Sequence, residues 1–218
     1  SASRVLRAGL RPGIAVLLAC AGLAAPLVAQ APAYFEDFEA YGTQADPPGW
    51  FDSSPGNPTQ QADGLYKTWP DPVGGGNVVF GKRSASNSYT HYRARTFSVG
   101  PEGNCSSCSC LAGGPSTPFE LSGRIYRQGS ARLGVTFFSS FPTPDELFFF
   151  GVDSGDGRVR MKRRGSHQLS GQTQSSYVLT SGLWHRFRIL VQPDGGVLRF
   201  RARIWRDGQA EPTSWAID

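Results

Sequence analysis

Two runs in which apolar and charged residues alternate, at 185–189 and 198–204, constrain the fold of this chain more than any other feature. Successive side chains of a β-strand point to opposite faces, so alternation marks a strand with one buried and one exposed face. A series of turn-forming residues, Gln192-Pro-Asp-Gly-Gly196, separates the two runs and predicts an antiparallel hairpin. Its inner face would carry His185, Phe187, Ile189, Val191, Leu198, Phe200, Ala202 and Ile204, and its outer face Arg186, Arg188, Arg199, Arg201 and Arg203.

The rest of the chain is built from shorter segments of the same kind. They lie at 34–38, 65–69, 77–80, 89–99, 119–125, 132–137, 147–152 and 158–162, and are separated by loops rich in glycine and proline. Because no helical periodicity accompanies them, the chain is predicted to be all-β, a two-sheet antiparallel jelly-roll sandwich. The chain stops at Asp218 inside what reads as a strand. We therefore expect a fragment that lacks its last strand or strands and has an exposed sheet edge.

The N-terminal residues 1–31 have the pattern of a secretory signal peptide. Arg4, Arg7 and Arg11 precede an apolar run, and Ala29-Gln-Ala31 offers small residues at a cleavage site. Two alternatives stay open: a lipid-modified Cys20, since Leu17-Leu-Ala-Cys20 resembles a bacterial lipobox, and a single-pass membrane anchor. The pattern predicts a bacterial domain at 32–218 that is periplasmic, secreted or at the cell surface, with no membrane span after signal removal.

Net charge argues against nucleic acid as a partner. The chain has 22 Lys and Arg against 17 Asp and Glu, a formal charge of +5. More than half of this excess belongs to the three arginines of the signal segment. The basic character of the remaining domain is therefore local, on the arginine-bearing strands, which favours a ligand bound on one face.

An ordered set of short motifs resembles the concanavalin A-like lectin/glucanase superfamily, in its bacterial secreted laminin-G-like branch. The motifs lie at 34–39 (YFEDFE), 48–50 (PGW), 131–138 (ARLGVTFF), 184–188 (WHRFR), 204–208 (IWRDG), 211–212 (EP) and 215 (W). The resemblance implies two packed antiparallel sheets, a concave face used for glycans and a structural calcium ion near the rim. Members of this branch commonly lack a known activity.

The resemblance also suggests where calcium would bind. Glu36 and Asp37 lie on the predicted first strand, and Asp218 would return beside them if the last strand pairs with the first, as in that family. Carboxylate oxygens are hard ligands that suit Ca²⁺. The alternative is that these are ordinary solvent-facing carboxylates of an edge strand.

Catalytic patterns are missing from the sequence. A glucan-cleaving member of the superfamily would carry Glu-x-Asp-x-x-Glu on one strand, which places alternate carboxylates on one face. Predicted strand interiors here are nearly free of carboxylates, and the histidines at 91, 167 and 185 have neither metal-ligand spacing nor a nearby nucleophile motif. We therefore predict no catalytic residues.

The cysteine cluster Cys105-Ser-Ser-Cys108-Ser-Cys110 predicts a local disulfide in an exported protein. Cys105 with Cys110 would close a small surface loop, and Cys105 with Cys108 a tighter one. A free or intermolecular thiol and a metal site remain alternatives.

The predicted ligand site is the arginine face. Arg158, Arg160 and Lys162 alternate on another strand and would extend it if the three strands lie side by side. Guanidinium groups pair with carboxylate or sulfate, so acidic polysaccharide is the predicted ligand, with Trp184 and Trp205 as stacking platforms. The alternatives are a solvated surface on a structural or adhesive protein-binding module and, less favoured, a glycoside hydrolase or lyase.

Overall fold

The computed structural model describes residues 35–53, 65–83, 89–92, 118–138, 147–164, 168–194 and 197–218. All regular structure in these ranges is β-strand. The strands are β1 (Trp50–Ser53), β2 (Lys67–Pro70), β3 (Val78–Gly81), β4 (Tyr89–Tyr92), β5 (Phe119–Tyr126), β6 (Leu133–Phe137), β7 (Leu147–Val152), β8 (Arg158–Arg164), β9 (Gln174–Val178), β10 (Trp184–Asp194) and β11 (Val197–Arg206). No helix in the described ranges is long and apolar enough to cross a membrane.

Every strand pairing is antiparallel. The larger sheets have the orders β11-β10-β5 and β6-β7-β8-β9, and two further pairs are β1-β4 and β2-β3. The all-β, antiparallel prediction is therefore confirmed, whereas the jelly-roll connectivity stays a prediction. The chain divides into two units, Ser1–Glu36 and Asp37–Asp218, and all eleven strands belong to the second.

The core lies between the two larger sheets. Phe200 of β11 contacts Phe148 of β7 with ring centroids 4.7 Å apart, and Phe187 of β10 lies 6.0 Å from Phe150. Ile189 and Val191 are fully buried, as the alternation of β10 predicts. Each such side chain contributes about 1.5–3 kcal/mol when it leaves water, so these contacts hold the sheets face to face.

The predicted first strand is wrong. Phe35–Phe38 is not a strand, because Phe38 has a left-handed φ of 64° that turns the chain. Its ring then packs on Phe80, 4.8 Å away, and Trp50, 5.4 Å away. Aromatic burial thus offsets the backbone strain.

The outer edge of β11 is contacted by the residues that follow it. The amide of Ala202 donates to the carbonyl of Ile217 at 3.0 Å, and Ile217 is buried in the core. Beyond it, the amide of Gln172 donates to the carbonyl of Asp218 at 2.8 Å. Trp215–Asp218 therefore forms a single bridge in place of the predicted strand, and it links β11 to the segment that enters β9.

Candidate functional site

The predicted arginines share the outward-facing surface of the β11-β10-β5 sheet, which we call the outer face. Arg188 lies opposite Arg203, and Arg186 lies between Trp205 of β11 and Arg124 of β5. Arg199 and Arg201 follow on β11, opposite Gln192 and Leu190. The hairpin register predicted from alternation thus places all five predicted arginines together.

The third cationic strand is elsewhere. β8 belongs to the other sheet, so Arg158, Arg160 and Lys162 do not extend the outer face. Arg160 instead pairs with Asp156 at 2.5 Å, and Lys162 pairs with Asp153. The three cationic strands are therefore not adjacent. Alternation predicts which residues of a strand share a face, but the sheet to which a strand belongs depends on long-range packing.

The outer face is a network of ion pairs and not a bare basic patch. Asp207 accepts from Arg186 at 2.5 Å and from Arg124 at 3.2 Å. Glu211 bridges Arg203 at 2.7 Å and Arg188 at 3.0 Å, which relieves the repulsion of two guanidinium groups directly opposite each other. An acidic polymer would have to compete with these internal carboxylates.

Asp218 closes this network at the end of β11. Its two carboxylate oxygens accept from Arg199 at 2.6 and 2.8 Å, a bidentate pair. These hydrogen bonds lower the pKa of Asp218. Burial acts to raise the pKa of Asp207, but hydrogen bonds from Arg186 and Arg124 leave it lowered. Both carboxylates are therefore ionised at neutral pH.

Trp215 is an outer-face residue for which sequence analysis assigned no role. The guanidinium groups of Arg203 and Arg201 lie over its ring, 4.0 and 5.0 Å from the centroid. Such cation–π contacts contribute about 0.5–1 kcal/mol at exposed sites. The spacing from Glu211 to Trp215 carried no strand pattern, so only the folded chain shows that this segment lies over the arginines.

Removing the Glu211 bridge is expected to lower the free energy of unfolding by about 1 kcal/mol, less at high salt. Glu211→Gln keeps the side-chain size but leaves Arg188 and Arg203 opposed. Urea denaturation at low and high salt measures the effect. Glu120→Gln is the matched control, because Glu120 is more exposed and, among the described residues, its carboxylate pairs with Arg188 alone, at 3.3 Å. Equal losses of unfolding free energy in both variants would show that bridging two arginines stabilises the fold no more than a single surface ion pair does.

The two predicted tryptophans lie toward the end of the outer face away from Asp218. Trp205 is half-buried opposite Arg186. Trp184 lies beside Tyr126, with ring centroids 5.4 Å apart, and under the guanidinium of Arg124 at 5.0 Å. Trp184 is therefore held on several sides.

The loop between β2 and β3 reaches Trp184. Asp71 Oδ1 accepts from the indole Nε1 of Trp184 at 3.0 Å and from the amide of Val73 at 2.9 Å. Gly74, Gly75 and Gly76 follow with φ of 88°, 96° and 79°, left-handed values that favour glycine. The buried carboxylate of Asp71 thus fixes the loop against the indole, with Val73 exposed beside it.

A shallow cleft of about 380 Å³ opens at this place. It is lined by Val73, Leu183, Trp184, Arg206, Asp207 and Gly208. An aromatic ring, a cation and a carboxylate share one concave surface on a rigid sheet end, which is the usual composition of a small-ligand site. Sequence reasoning singled out Trp184 but missed Val73, since the two meet only through the fold.

Two of the three predicted calcium ligands, Asp37 and Asp218, make other contacts. Asp37 Oδ1 accepts from the amide of Glu39 at 3.1 Å, a turn contact, and Asp218 is bound to Arg199. Within the described ranges no group of three or more His, Cys, Asp or Glu side chains could hold a metal ion. Calcium at Glu36, Asp37 and Asp218 therefore stays a prediction.

Three other predictions lie outside the described residues. They are the disulfide of Cys105 and Cys110, the signal segment at 1–31 and the lipid-modified Cys20.

Comparisons with family models, with curated proteins and with solved structures found no match for this chain. The resemblance to the concanavalin A-like superfamily therefore stays a prediction.

Proposed function

We propose that this chain is an exported, non-catalytic module that binds carbohydrate, and that the cleft beside Trp184 is its site. The observation that carries the proposal is the lining of the cleft. A half-buried indole lies beside charged hydrogen-bonding groups of both signs, Arg206 and Asp207. The apolar face of a sugar ring packs on an aromatic ring while its hydroxyls bond to such groups.

The absence of catalysis is supported by the state of the cleft carboxylate. A glycosidase places two carboxyl groups on either side of the scissile bond, and its general acid has a raised pKa. Asp207 has a lowered pKa and is held by two arginines. No second carboxylate is among the lining residues of the described cleft. Asp71, behind Trp184, holds the indole and the loop.

The cleft is favoured over the arginines first predicted to bind ligand. Arg199 and Arg203 are paired with Asp218 and Glu211, so a bound acidic polymer would have to replace contacts already made. Replacement of one salt bridge by another gives little net free energy at a surface. Export is supported by the pattern of residues 1–31.

Binding to a panel of neutral and acidic polysaccharides tests the proposal. We expect retention of the full chain on at least one polymer, without release of reducing ends. Trp184→Phe keeps a ring but loses stacking area and the bond to Asp71, and is expected to weaken binding about three- to tenfold. Trp215→Phe, on the same face but away from the lining residues, is the matched control.

Three results would contradict the proposal. Retention on no polymer would favour a structural or protein-binding module. Release of reducing ends would show a hydrolase or lyase. Loss of binding on changing Arg199, Arg201 and Arg203 to Gln, with Trp184→Phe unaffected, would place the site on the arginine face as the sequence predicted.

A further inference from the structure

Arg206 differs from Arg124 and Arg186 because none of the described residues pairs with its guanidinium. Arg206 is exposed and is one of the residues that line the cleft, and its guanidinium has no hydrogen bond or ion pair to the described residues. Arg124 and Arg186, in contrast, share the carboxylate of Asp207. The nearest acid in sequence is thus already used by two other cations.

The local backbone explains this separation. Arg206 lies opposite His185, in the inward register of the hairpin, whereas the preceding Trp205 lies in the outward register. The amide of Gln209 donates to the carbonyl of Arg206 at 3.1 Å, and Gly208 adopts a φ of 83°. This turn directs Asp207 toward the outer-face arginines and leaves Arg206 at the cleft.

The positive charge of Arg206 also affects the pKa values of two core residues, His185 and Tyr177. Burial is the main cause that lowers the pKa of the His185 imidazole, and the positive charge of Arg206 lowers it further. The charge of Arg206 also acts on Tyr177, whose hydroxyl bonds to His185. A bound anion that neutralises Arg206 would therefore be detected at His185.

We propose that the ligand of this cleft is an acidic sugar of the uronic-acid class, with its ring on Trp184 and its carboxylate on Arg206. The inference rests on the proposed carbohydrate function and specifies its substrate class. A guanidinium donates two parallel hydrogen bonds to a planar carboxylate, a charge-assisted pair about twice as strong as a neutral hydrogen bond. Among the described residues that line the cleft, Arg206 is the one cation beside the indole, which matches a ring that carries one carboxylate.

Trigalacturonate and its methyl ester provide matched probes, since the ester removes the charge and keeps the rings. Isothermal titration of the full chain should show tighter binding of the acid. Arg206→Gln is expected to weaken binding of trigalacturonate about tenfold and to leave the ester unchanged. Arg158→Gln is the control, because Arg158 is also exposed but lies on β8 of the other sheet.

A second pair of variants tests charge without touching an arginine. Val73 also lines the cleft and is 57% exposed, so substitutions there leave the core intact. Val73→Asp should weaken binding of trigalacturonate by repulsion, whereas Val73→Asn, of the same size, should not. In the wild-type chain, trigalacturonate should also shift the imidazole NMR signals of His185, and the ester should shift them less.

The outcomes separate this inference from the proposed function. Equal affinity for acid and ester, or an Arg206→Gln variant that binds the acid as wild type does, would overturn the acidic-sugar inference while carbohydrate binding stands. Binding of a neutral polymer alone would do the same. No binding of any sugar would overturn the proposed function itself.

Discussion

Gly134→Ala is expected to lower the free energy of unfolding by about 3 kcal/mol or more. A Cβ at Gly134 would lie 2.3 Å from the carbonyl oxygen of Phe150 and 2.7 Å from the ring of Phe149. The oxygen belongs to the backbone of the paired strand, so relief requires β6 and β7 to move apart. Gly151, directly opposite, has no side chain either, which lets the Phe149 ring cover both glycines.

Urea denaturation measures this loss, and Gly81→Ala is its control. Gly81 is also a strand glycine, but a Cβ there would meet nothing within 4 Å. Its loss should stay within about 0.5 kcal/mol, since substitutions away from packed features have small effects. A loss below about 1 kcal/mol for Gly134→Ala would mean that β6 and β7 do not pair in this register. The β6-β7-β8-β9 sheet, which packs on β10 and β11, would then have a different strand register.

The hairpin of β10 and β11 could be predicted from sequence because its signal is local. Side-chain direction alternates along each strand, so burial of Ile189, Val191 and Ala202 follows from position alone. The turn residues predicted at 192–196 separate the two strands, although 192–194 belong to β10, and the hairpin register places the five predicted arginines on one face. The β7–β8 hairpin around Asp153–Gly157 was predictable for the same reason.

The partners of the arginines could not be predicted in this way. Asp207, Glu211 and Asp218 come from turns and from the segment after β11, where no periodicity fixes the direction of a side chain. The cleft could not be predicted either, because it too is formed by residues that are distant in sequence. Asp71 lies 113 residues from Trp184, and their hydrogen bond depends on how the β2–β3 loop packs on the sheet.

The predicted first strand at 34–38 failed for a different reason. Aromatic and acidic residues at 34–39 predicted a first strand, yet Phe38 has a left-handed φ of 64° and its ring packs on Phe80 and Trp50. Tertiary contacts override a short local pattern, and short patterns are the ones most easily overridden.

A buried histidine joins the two larger sheets. His185 of β10 is 1% exposed, and its Nδ1 lies 2.8 Å from the hydroxyl of Tyr177 on β9. Its Nε2 lies 3.2 Å from the carbonyl of Thr180. Because a carbonyl can only accept, Nε2 carries the proton and donates, and Nδ1 accepts from Tyr177. Burial lowers the pKa of His185, which favours this neutral form of the imidazole.

Acidification should destabilise the fold through this histidine. Burial and then the charge of Arg206 lower the pKa of His185, against the opposing hydrogen bond to Thr180. Below the unfolded value of about 6.5, the unfolded chain binds a proton that the folded chain does not, so the free energy of unfolding falls by up to about 1.4 kcal/mol per pH unit. Above that value the histidine contributes no pH dependence.

His185→Gln should remove that slope just below about pH 6.5, while costing about 1–2 kcal/mol at neutral pH, since Gln offers a donor and an acceptor in a different shape. The window lies above the usual titration range of aspartate, so the carboxylates of Asp207 and Asp218, whose pKa values are lowered, do not contribute to it. Urea denaturation across this range measures the slope, with His91→Gln and His167→Gln as controls. A slope that persists in His185→Gln would assign the acid sensitivity to another group, and the Tyr177–His185 pair would then be a structural contact without a pH response.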